Sequence, residues 1–358
     1  MLTILYINQT LIAMKTNPIR KLIVSLVLVL ALIPASFAQD QIAKILQGGL
    51  DDAEKLGTAY LEPFGNMFGT ALNGGWYQAA RPHKVLGFNL TLTTSAAVAP
   101  VSARTFDVST LGLQTLQLKD PQNNMAPSIA GEATTGPTVM FEVEGENVEF
   151  DLPQGAGLPL VPVPFVQAGV GLPFSTEVTV RFLPPVDLGK YGRVNLWGIG
   201  AKNQFKDFIP GLKHVPIDLS LMVGYTSLNY EYGISYIPSE MPAGYTQADF
   251  ADQKLFLRAS GFTGRILVGK TIPFISVYAG LGYSHAITSL GLEGNYAVGV
   301  APFGASDVHT DPLIFDFPKN SFSANIGARV RLGVISIHAD YTLGEYALYS
   351  GGIGISFR

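Results

Sequence analysis

The chain has 358 residues, of which 47% are hydrophobic and only 14% charged, and its formal net charge is −4. A soluble domain usually carries about 25% charged residues, and an acidic balance argues against nucleic acid as a partner. The chain contains no cysteine, which excludes disulfides, thiolate metal sites and a cysteine nucleophile. Glycine, tyrosine and phenylalanine are plentiful, as expected of a barrel with tight turns and interfacial aromatic residues.

The first 38 residues have the pattern of an export signal. A basic stretch ending at Lys21 precedes an apolar run, Leu22–Ile33, and small residues lead to Ala38. The alternative is a membrane anchor, but the run is shorter than the ~20 residues that a spanning helix needs. We expect cleavage after Ala38, and we interpret Met1–Ala13 as lying upstream of the true start.

Residues 39–83 are predicted to form two short amphipathic helices and a turn. The second helix is expected to start after Pro63 and to stop at Asn73-Gly74-Gly75. Two interpretations stay open: a plug inside a barrel, beginning on the periplasmic side, or a cap packed on the outside. The apolar face of the second helix supplies the first candidates for lining a ligand site, which are Phe64, Met67, Phe68 and Leu72.

From Leu86 onward the sequence has a period of two, and Ser321–Arg358 repeats this pattern in three consecutive runs. Val139–Phe150 also alternates, with several glutamates. Such alternation is typical of β-strands. One face of each run is apolar, whereas the other carries Arg, His, Asp and Ser. A soluble sandwich and a transmembrane barrel both fit these strands taken alone.

The lengths of the connections favour the barrel. The turns at Gly333 and Gly269–Pro273 are short, whereas Tyr230–Asp252 and Leu290–Asn320 are long, with Phe205–Pro216 of medium length. Short periplasmic turns and long outer loops are the rule in outer-membrane barrels. We therefore predict an all-β fold, an antiparallel transmembrane barrel over residues 84–358, in the outer membrane of a Gram-negative-type cell. Its expected partners are membrane lipid and the barrel-assembly machinery.

Eight strands are readable from Thr176 onward, and the earlier residues are expected to add an even number. The prediction is about twelve strands, within a range of ten to fourteen. The phase blurs between Gly198 and Gly200 and slips near Gly261, which suggests a bulge or kink. Leu152–Thr176 is uncharged and rich in proline, and we predict an apolar loop or a segment folded into the lumen.

Part of the chain resembles known proteins. Tyr349–Phe357 is similar to the C-terminal insertion signal of outer-membrane barrels, although Arg358 follows the terminal aromatic residue. An N-terminal plug before a barrel also resembles, in architecture only, the long-chain fatty-acid transporter (FadL-type) group. Three stretches resemble an uncharacterised family of outer-membrane barrels: LNGGWYQAARPHKVLGFNLTL (72–92), GVGLPFSTEVTVRFLPPVDLG (169–189) and LWGIGAKNQFKDFIPGLKHVPIDLSLMVGYTSL (196–228).

Charged residues on the polar strand faces are the remaining candidates for the lumen lining. They are interpreted either as a charged eyelet for anions or as a network of paired charges that fills the lumen. A Ser-x-His-x-Asp pattern around His338 spaces its side chains about 7 Å apart along the strand, too far for a direct proton relay. We therefore predict no enzyme, and we expect no cofactor or metal. The candidate lining residues are Arg181, Arg329, Arg331, His338 and Asp340.

These features predict a passive outer-membrane channel for small, mainly hydrophobic molecules, with such a molecule as its ligand. The alternative is a structural or partner-binding barrel with a closed lumen. A lumen packed with side chains would favour the alternative.

Processing gives the first testable prediction. If the signal is cleaved after Ala38, mass spectrometry of the mature protein will find Gln39 at its N-terminus. A mature chain that still contains Leu22–Ile33 would contradict this assignment.

Overall fold

The computed structural model describes residues 49–143, 145–187, 189, 192–238, 241–298 and 307–357. The expected signal peptide, its cleavage site and the first predicted helix lie outside the described residues. Within the described residues one α-helix, α1 (Leu50–Leu72), precedes the strands, and short 3-10 turns occupy Val101–Ala103, Val108–Thr110, Phe205–Phe208, Leu212–His214 and Gln247–Phe250. The strands are β1 (Phe88–Val98), β2 (Thr105–Asp107), β3 (Gln117–Leu118), β4 (Met125–Pro127), β5 (Thr138–Val143), β6 (Glu146–Asp151), β7 (Leu160–Leu172), β8 (Thr176–Asp187), β9 (Arg193–Asn203), β10 (Asp218–Gly233), β11 (Lys254–Thr271), β12 (Ile275–Glu293), β13 (Asn295–Val298), β14 (Asp307–Thr310), β15 (Ile314–Leu332), β16 (Ile335–Leu343) and β17 (Ala347–Phe357).

Ten of the described strands close into one antiparallel barrel, in the order β1-β17-β16-β15-β12-β11-β10-β9-β8-β7. Closure occurs at β1, where Phe88 is paired with Phe357 on one side and with Val170 on the other. The predicted antiparallel barrel is confirmed, and the eight strands from Thr176 onward are present. The number of described barrel strands is ten, the lower limit of the predicted range rather than the expected twelve, because the residues before Thr176 supply only β1 and β7 to the barrel.

The other early strands form a cap outside the barrel wall. Strands β2 and β4 make one small sheet, and β3, β5 and β6 make another. Their apolar side chains pack on Leu56 of α1, so the alternation between Val139 and Phe150 belongs to a hairpin of this cap. An alternating pattern indicates that one face of a strand is buried, but it does not indicate which part of the protein packs on that face.

The proline-rich stretch is a barrel strand, contrary to the predicted loop or lumen segment. Strand β7 pairs with β1 from Leu160 to Val170, but with β8 only from Gln167 to Leu172. Pro162 and Pro164 therefore lie where β7 has a single partner strand. Because they are two residues apart, their backbone nitrogens, which carry no hydrogen to donate, lie on the same side of the strand. Proline is tolerated at such an edge.

The two ends of the barrel differ. The connections 99–159, 234–253 and 294–313 lie at one end, called here the long-loop end, and 173–175, 204–217, 272–274 and 333–334 lie at the other, the short-turn end. The connection 344–346 also lies at the long-loop end but is short, so the predicted alternation holds for 234–253, 272–274, 294–313 and 333–334.

A ring of outward-facing aromatic residues divides the wall into two halves, and we call it the girdle. Some neighbouring members are in ring contact, with centroids 5.5 Å apart for Trp197 and Tyr225 and 5.0 Å for Tyr341 and Tyr349. The barrel strands β1 and β7 carry no member. The half between the girdle and the short-turn end is the lower half, and the other is the upper half. The girdle consists of Phe182, Trp197, Tyr225, Phe262, Tyr283, Phe322, Tyr341 and Tyr349.

In the lower half the wall is apolar outside and polar inside. Exposed Val, Leu and Ile side chains cover its outer face, whereas its buried inner face carries Asn, Thr, Ser and charged residues. On β12 the apolar outer positions run from Ile275 to the girdle at Tyr283, close to the 9–11 residues of a tilted membrane-spanning strand. Inner residues of this half include Asn89, Thr91, Glu177, Arg181, Lys202, Asp218, Arg265, Asn325, Arg329 and His338.

In the upper half the polarity is reversed. The inner face is apolar and belongs to the largest hydrophobic cluster, with Val163, Phe165, Leu196, Leu228, Leu257, Leu290, Phe315 and Phe317 among its members. The outer face carries polar residues that are exposed or half-exposed, such as Asn195, Asn229, Arg258 and Asp316.

This reversal accounts for the blurred phases in the sequence. Val194 and Leu196 face inward above the girdle, whereas Trp197 and Ile199 face outward at or below it, so the apolar phase changes although the strand is regular. The pairing of β9 with β10 and that of β11 with β12 are continuous. The predicted bulge at Gly198–Gly200 and the slip at Gly261 are therefore wrong; β8 has a register shift, between Leu183 and Val186.

Helix α1 enters the barrel from the long-loop end. Its first turns contact the cap, and its later turns pack on the inner faces of β1, β7, β11, β12 and β15. The prediction of a helix starting after Pro63 is wrong, because Pro63 lies within one helix, and the expected entry from the short-turn side is also wrong. Among the described residues, no helix is both long and apolar enough to cross a membrane.

Because α1 packs closely against the wall, we expect a glycine-to-alanine substitution in this helix to destabilise the protein, contrary to its usual effect in helices. Alanine is favoured over glycine by about 1 kcal/mol in a helix, but a methyl group at Gly65 would lie 2.3 Å from the ring of Phe317. Gly65→Ala should therefore lower the free energy of unfolding, measured with urea in lipid vesicles. In a Phe317→Ala background the same change should cost less by about 0.5–3 kcal/mol. Stabilisation by Gly65→Ala alone would contradict the packing.

Candidate functional site

The lumen is the candidate site, and its upper half is filled by α1. The four predicted ligand-lining residues of the helix, Phe64, Met67, Phe68 and Leu72, are each 0% exposed. They belong to the same cluster as the inward side chains of the wall. They act as core residues, in contact with the wall rather than with a space for a ligand.

The first turn of α1 is fixed to the cap by Asp52. Its buried carboxylate accepts hydrogen bonds of 2.8 Å from the backbone N–H groups of Gln114, Thr115 and Leu116. Asp51 and Asp52 also place negative charge in the first turn, where the helix dipole favours it. The helix N-terminus is therefore held at the long-loop end.

The last turn of α1 is fixed by Arg181 of β8. The helix has no basic residue of its own in that turn, but the Arg181 guanidinium donates to the carbonyl oxygens of Leu72, at 3.0 Å, and of Gly74. These carbonyls are at the negative end of the helix dipole. A strand residue thus supplies the cation that the helix lacks.

Arg181 is also enclosed by aromatic rings. Its guanidinium carbon lies 3.7 Å from the ring centroid of Trp76 and 3.8 Å from that of Phe165. Further hydrogen bonds go to Gln167, at 3.2 Å, and Thr226, at 3.3 Å. Arginine suits this position because its planar fork donates in several directions while its faces stack on rings.

Below the helix, residues 73–87 run down the lower half of the lumen to the short-turn end. His83, near the bottom, donates its backbone N–H to Glu177, at 2.9 Å, and its ring Nδ1 lies 2.8 Å from the same carboxylate. Lys202 lies 3.3 Å from the other oxygen of Glu177 and donates to the Ala79 carbonyl at 3.1 Å. A buried charge cluster therefore connects this segment to β8 and β9.

Two further contacts fix the same segment. Arg81 forms an ion pair of 2.9 Å with the buried Asp218. Tyr77 donates to Asn325 at 2.8 Å, and Arg265 lies 3.3 Å from the same amide oxygen. The inward charges were predicted to form either an eyelet for anions or a network of paired charges that fills the lumen. These pairings favour the network.

The predicted Ser-x-His-x-Asp residues are not joined to one another by hydrogen bonds. The ring of His338, which is 3% exposed, has Nε2 3.4 Å from Thr93, and Asp340 accepts from Tyr278 at 3.4 Å. The hydroxyl of Ser336 donates to the carbonyl of Gly354. Among the described residues, no group of three or more His, Asp or Glu side chains could hold a metal ion.

The two remaining predicted residues, Arg329 and Arg331, lie at the mouth of the lumen at the short-turn end. Arg329 is 8% exposed and donates to Ser276 at 3.2 Å, whereas the half-buried Arg331 donates to the Pro273 carbonyl at 3.2 Å. Both line a cavity of about 280 Å³ that also includes Arg81 and Lys84.

Sequence reasoning missed Trp76, His83 and Lys202. Lys202 could have been found by extending the outward phase of Trp197 and Ile199 down β9, which places it inward. His83 and Trp76 belong to an irregular segment without periodicity, so the sequence carries no signal for their partners.

A family of unknown function, DUF6588, matches residues 14–357. The chain belongs to this family. The predicted membership of an uncharacterised family is confirmed, whereas the likeness to FadL-type transporters stays a prediction. No characterised protein matches the DUF6588 chain in sequence.

Solved structures that resemble the DUF6588 chain do so only weakly. The attachment invasion locus protein Ail of Yersinia pestis has 9% identity and a TM-score of 0.24, covering 76% of this chain and 97% of its own. The translocator domain of the autotransporter NalP of Neisseria meningitidis has 11% identity and a TM-score of 0.28, covering 77% and 90%. These scores are too low to support an argument about function.

The contacts of Arg181 predict its role in fixing the lumen segment. Arg181→Lys keeps the charge but loses the planar fork and the ring stacking, so hydrogen bonds worth about 1.5–3 kcal/mol are weakened. Amide hydrogen exchange measured by mass spectrometry should be at least about tenfold faster over residues 74–80. Arg258→Lys, on the outer face of the upper half, is the control. Equal exchange in both variants would contradict this role.

Proposed function

We propose that the protein is an outer-membrane barrel whose lower half spans the bilayer and whose lumen is closed by its own N-terminal segment. Its long-loop end faces outward and carries a structural or partner-binding surface. The observation that carries this proposal is the filled lumen: α1 above the girdle, and residues 73–87 below it.

The polarity of the wall supports a membrane-spanning lower half. An apolar outer band bounded by aromatic residues, around a polar interior, is the pattern of transmembrane barrels. Phe88 and Phe357, in ring contact with centroids 5.9 Å apart, are exposed apolar residues near the short-turn edge of the band. Outer-membrane lipid is the partner that this band fits.

The reversed polarity supports an upper half that stands above the membrane. There the apolar residues are inside and the polar residues outside, as in a soluble domain. The cap and the long connections extend this half further. The predicted export signal and the C-terminal strand Tyr349–Phe357 add support for outer-membrane assembly, and the proposal includes no catalytic step.

Passive transport of small hydrophobic molecules is the second candidate. It requires residues 73–87 to move, and the observation in its favour is that residues 74–83 belong to no strand of the barrel. They are held there by side-chain contacts, so they could leave the lumen without opening the wall. Against it stand the buried contacts of Arg181 and Glu177, all of which would have to break.

A disulfide lock separates the two candidates, and the chain has no native cysteine to interfere. A Cβ at position 74 would lie 3.1 Å from the Cβ of Ser95, so Gly74→Cys with Ser95→Cys needs only a small shift to reach the ~3.5–4.5 Å of a disulfide. A closed barrel should show baseline conductance in planar bilayers, and oxidation of the pair should not change the uptake of an apolar dye.

The matched control is Ser95→Cys with Ser350→Cys, which cross-links two strands already paired and leaves the lumen segment free. Conductance or dye uptake that disappears on oxidation of the first pair, but not of the control pair, would support transport and overturn the closed-lumen proposal.

A further inference from the structure

The mouth of the lumen at the short-turn end contains a cavity with a strongly one-sided charge. Its volume is about 280 Å³, and four cationic side chains line it: Arg81, Lys84, Arg329 and Arg331. None of the described residues that line it is acidic. A lining of this kind attracts an anion.

The neighbouring carboxylates balance only part of this charge, at Arg81. Asp218 is paired with Arg81, and Glu177 is shared by Lys202 and His83. Lys84, Arg329 and Arg331 form no ion pair with any carboxylate of the described residues. Both ring nitrogens of His83 are occupied, by Glu177 and by Ser356, so His83 is not available to a ligand.

Arg329 carries the strongest evidence for a ligand. It is 8% exposed, and its buried Nε has no hydrogen-bond partner among the described residues. A buried donor without a partner is unfavourable because it loses its hydrogen bonds to water without replacement, and the cost is greater when the group is charged. Its other branch donates to the hydroxyl of Ser276, which leaves the proton of that hydroxyl free to be donated into the cavity.

We propose that this cavity binds a phosphate group. Guanidinium forks bind phosphate oxygens in pairs, and the cavity offers Arg329 and Ser276 at its base with Arg331, Arg81 and Lys84 nearer the solvent. Its volume exceeds that of phosphate alone and admits a small organic phosphate or a lipid headgroup. Exposed Ile272 and Phe274 at the rim provide an apolar edge beside it.

Calorimetric titration with inorganic phosphate, using the full-length mature protein in an uncharged detergent, tests the site without relying on the proposed function. One phosphate should bind per chain. Arg331→Gln and Arg329→Gln should each weaken binding about tenfold or more, because each removes charge-assisted hydrogen bonds. Arg331 is half-buried and makes a single described hydrogen bond, so its variant should fold even where Arg329→Gln does not.

Arg258→Gln is the matched control, since it removes the same charge from an arginine that pairs with Glu293 in the upper half. It should change phosphate affinity by less than about twofold.

A second experiment distinguishes the two sources of the phosphate group, by native mass spectrometry after exchange into phosphatidylglycerol or phosphatidylcholine nanodiscs. If the unmodified protein retains phosphatidylglycerol and Arg331→Gln does not, the phosphate group that binds belongs to a lipid headgroup. If only inorganic phosphate binds, the ligand is a soluble phosphate.

Either result supports the phosphate site. The phosphate site would be overturned if inorganic phosphate at millimolar concentration does not bind and phosphatidylglycerol is not retained. Equal phosphate binding by Arg331→Gln and Arg258→Gln would also overturn it.

Discussion

A closed barrel satisfies the backbone hydrogen bonds of every strand, but it leaves an interior that must be filled. An eight-stranded barrel can fill its interior with its own side chains, whereas a ten-stranded one leaves more space. Here the chain fills that space with the segment that precedes its first strand. Above the girdle the filler is an apolar helix against apolar walls; below it, an irregular segment meets polar walls. The N-terminal segment and the walls both change from apolar to polar at the girdle.

The buried charges follow from the same constraint. An irregular segment has backbone carbonyl and N–H groups that no neighbouring strand pairs, and inside a lumen these groups need partners. Arg181, Lys202 and Ser220 donate to the carbonyls of Leu72, Gly74, Ala79 and Ala80, and Glu177 accepts from the N–H of His83. The inward charges of the lower wall therefore serve largely as partners for the segment. Arg329 is not such a partner: it donates to Ser276 and lines the cavity at the short-turn end.

The strongest sequence signals came from the lower half of the wall, because an apolar outer face against a polar inner face gives a clear period of two, as on β16. Strand β7 was missed because proline suggested a loop, and early alternation was assigned to the barrel although it belongs to the cap. The direction of α1 and the partners of Arg181 were not predictable. They depend on contacts between residues about a hundred positions apart, such as Arg181 and Leu72, for which a single sequence carries no signal.

We propose that the wall faces lipid below the girdle while the N-terminal segment fills the lumen. The two tryptophans of the chain report on these two places, since Trp197 is exposed on the outer face at the girdle and Trp76 is buried in the lumen. The direct measurement is fluorescence quenching by brominated lipid, in vesicles containing the Trp76→Phe or the Trp197→Phe variant. We expect strong quenching of Trp197 and little quenching of Trp76. Equal quenching of both residues, or an unquenched Trp197, would contradict it.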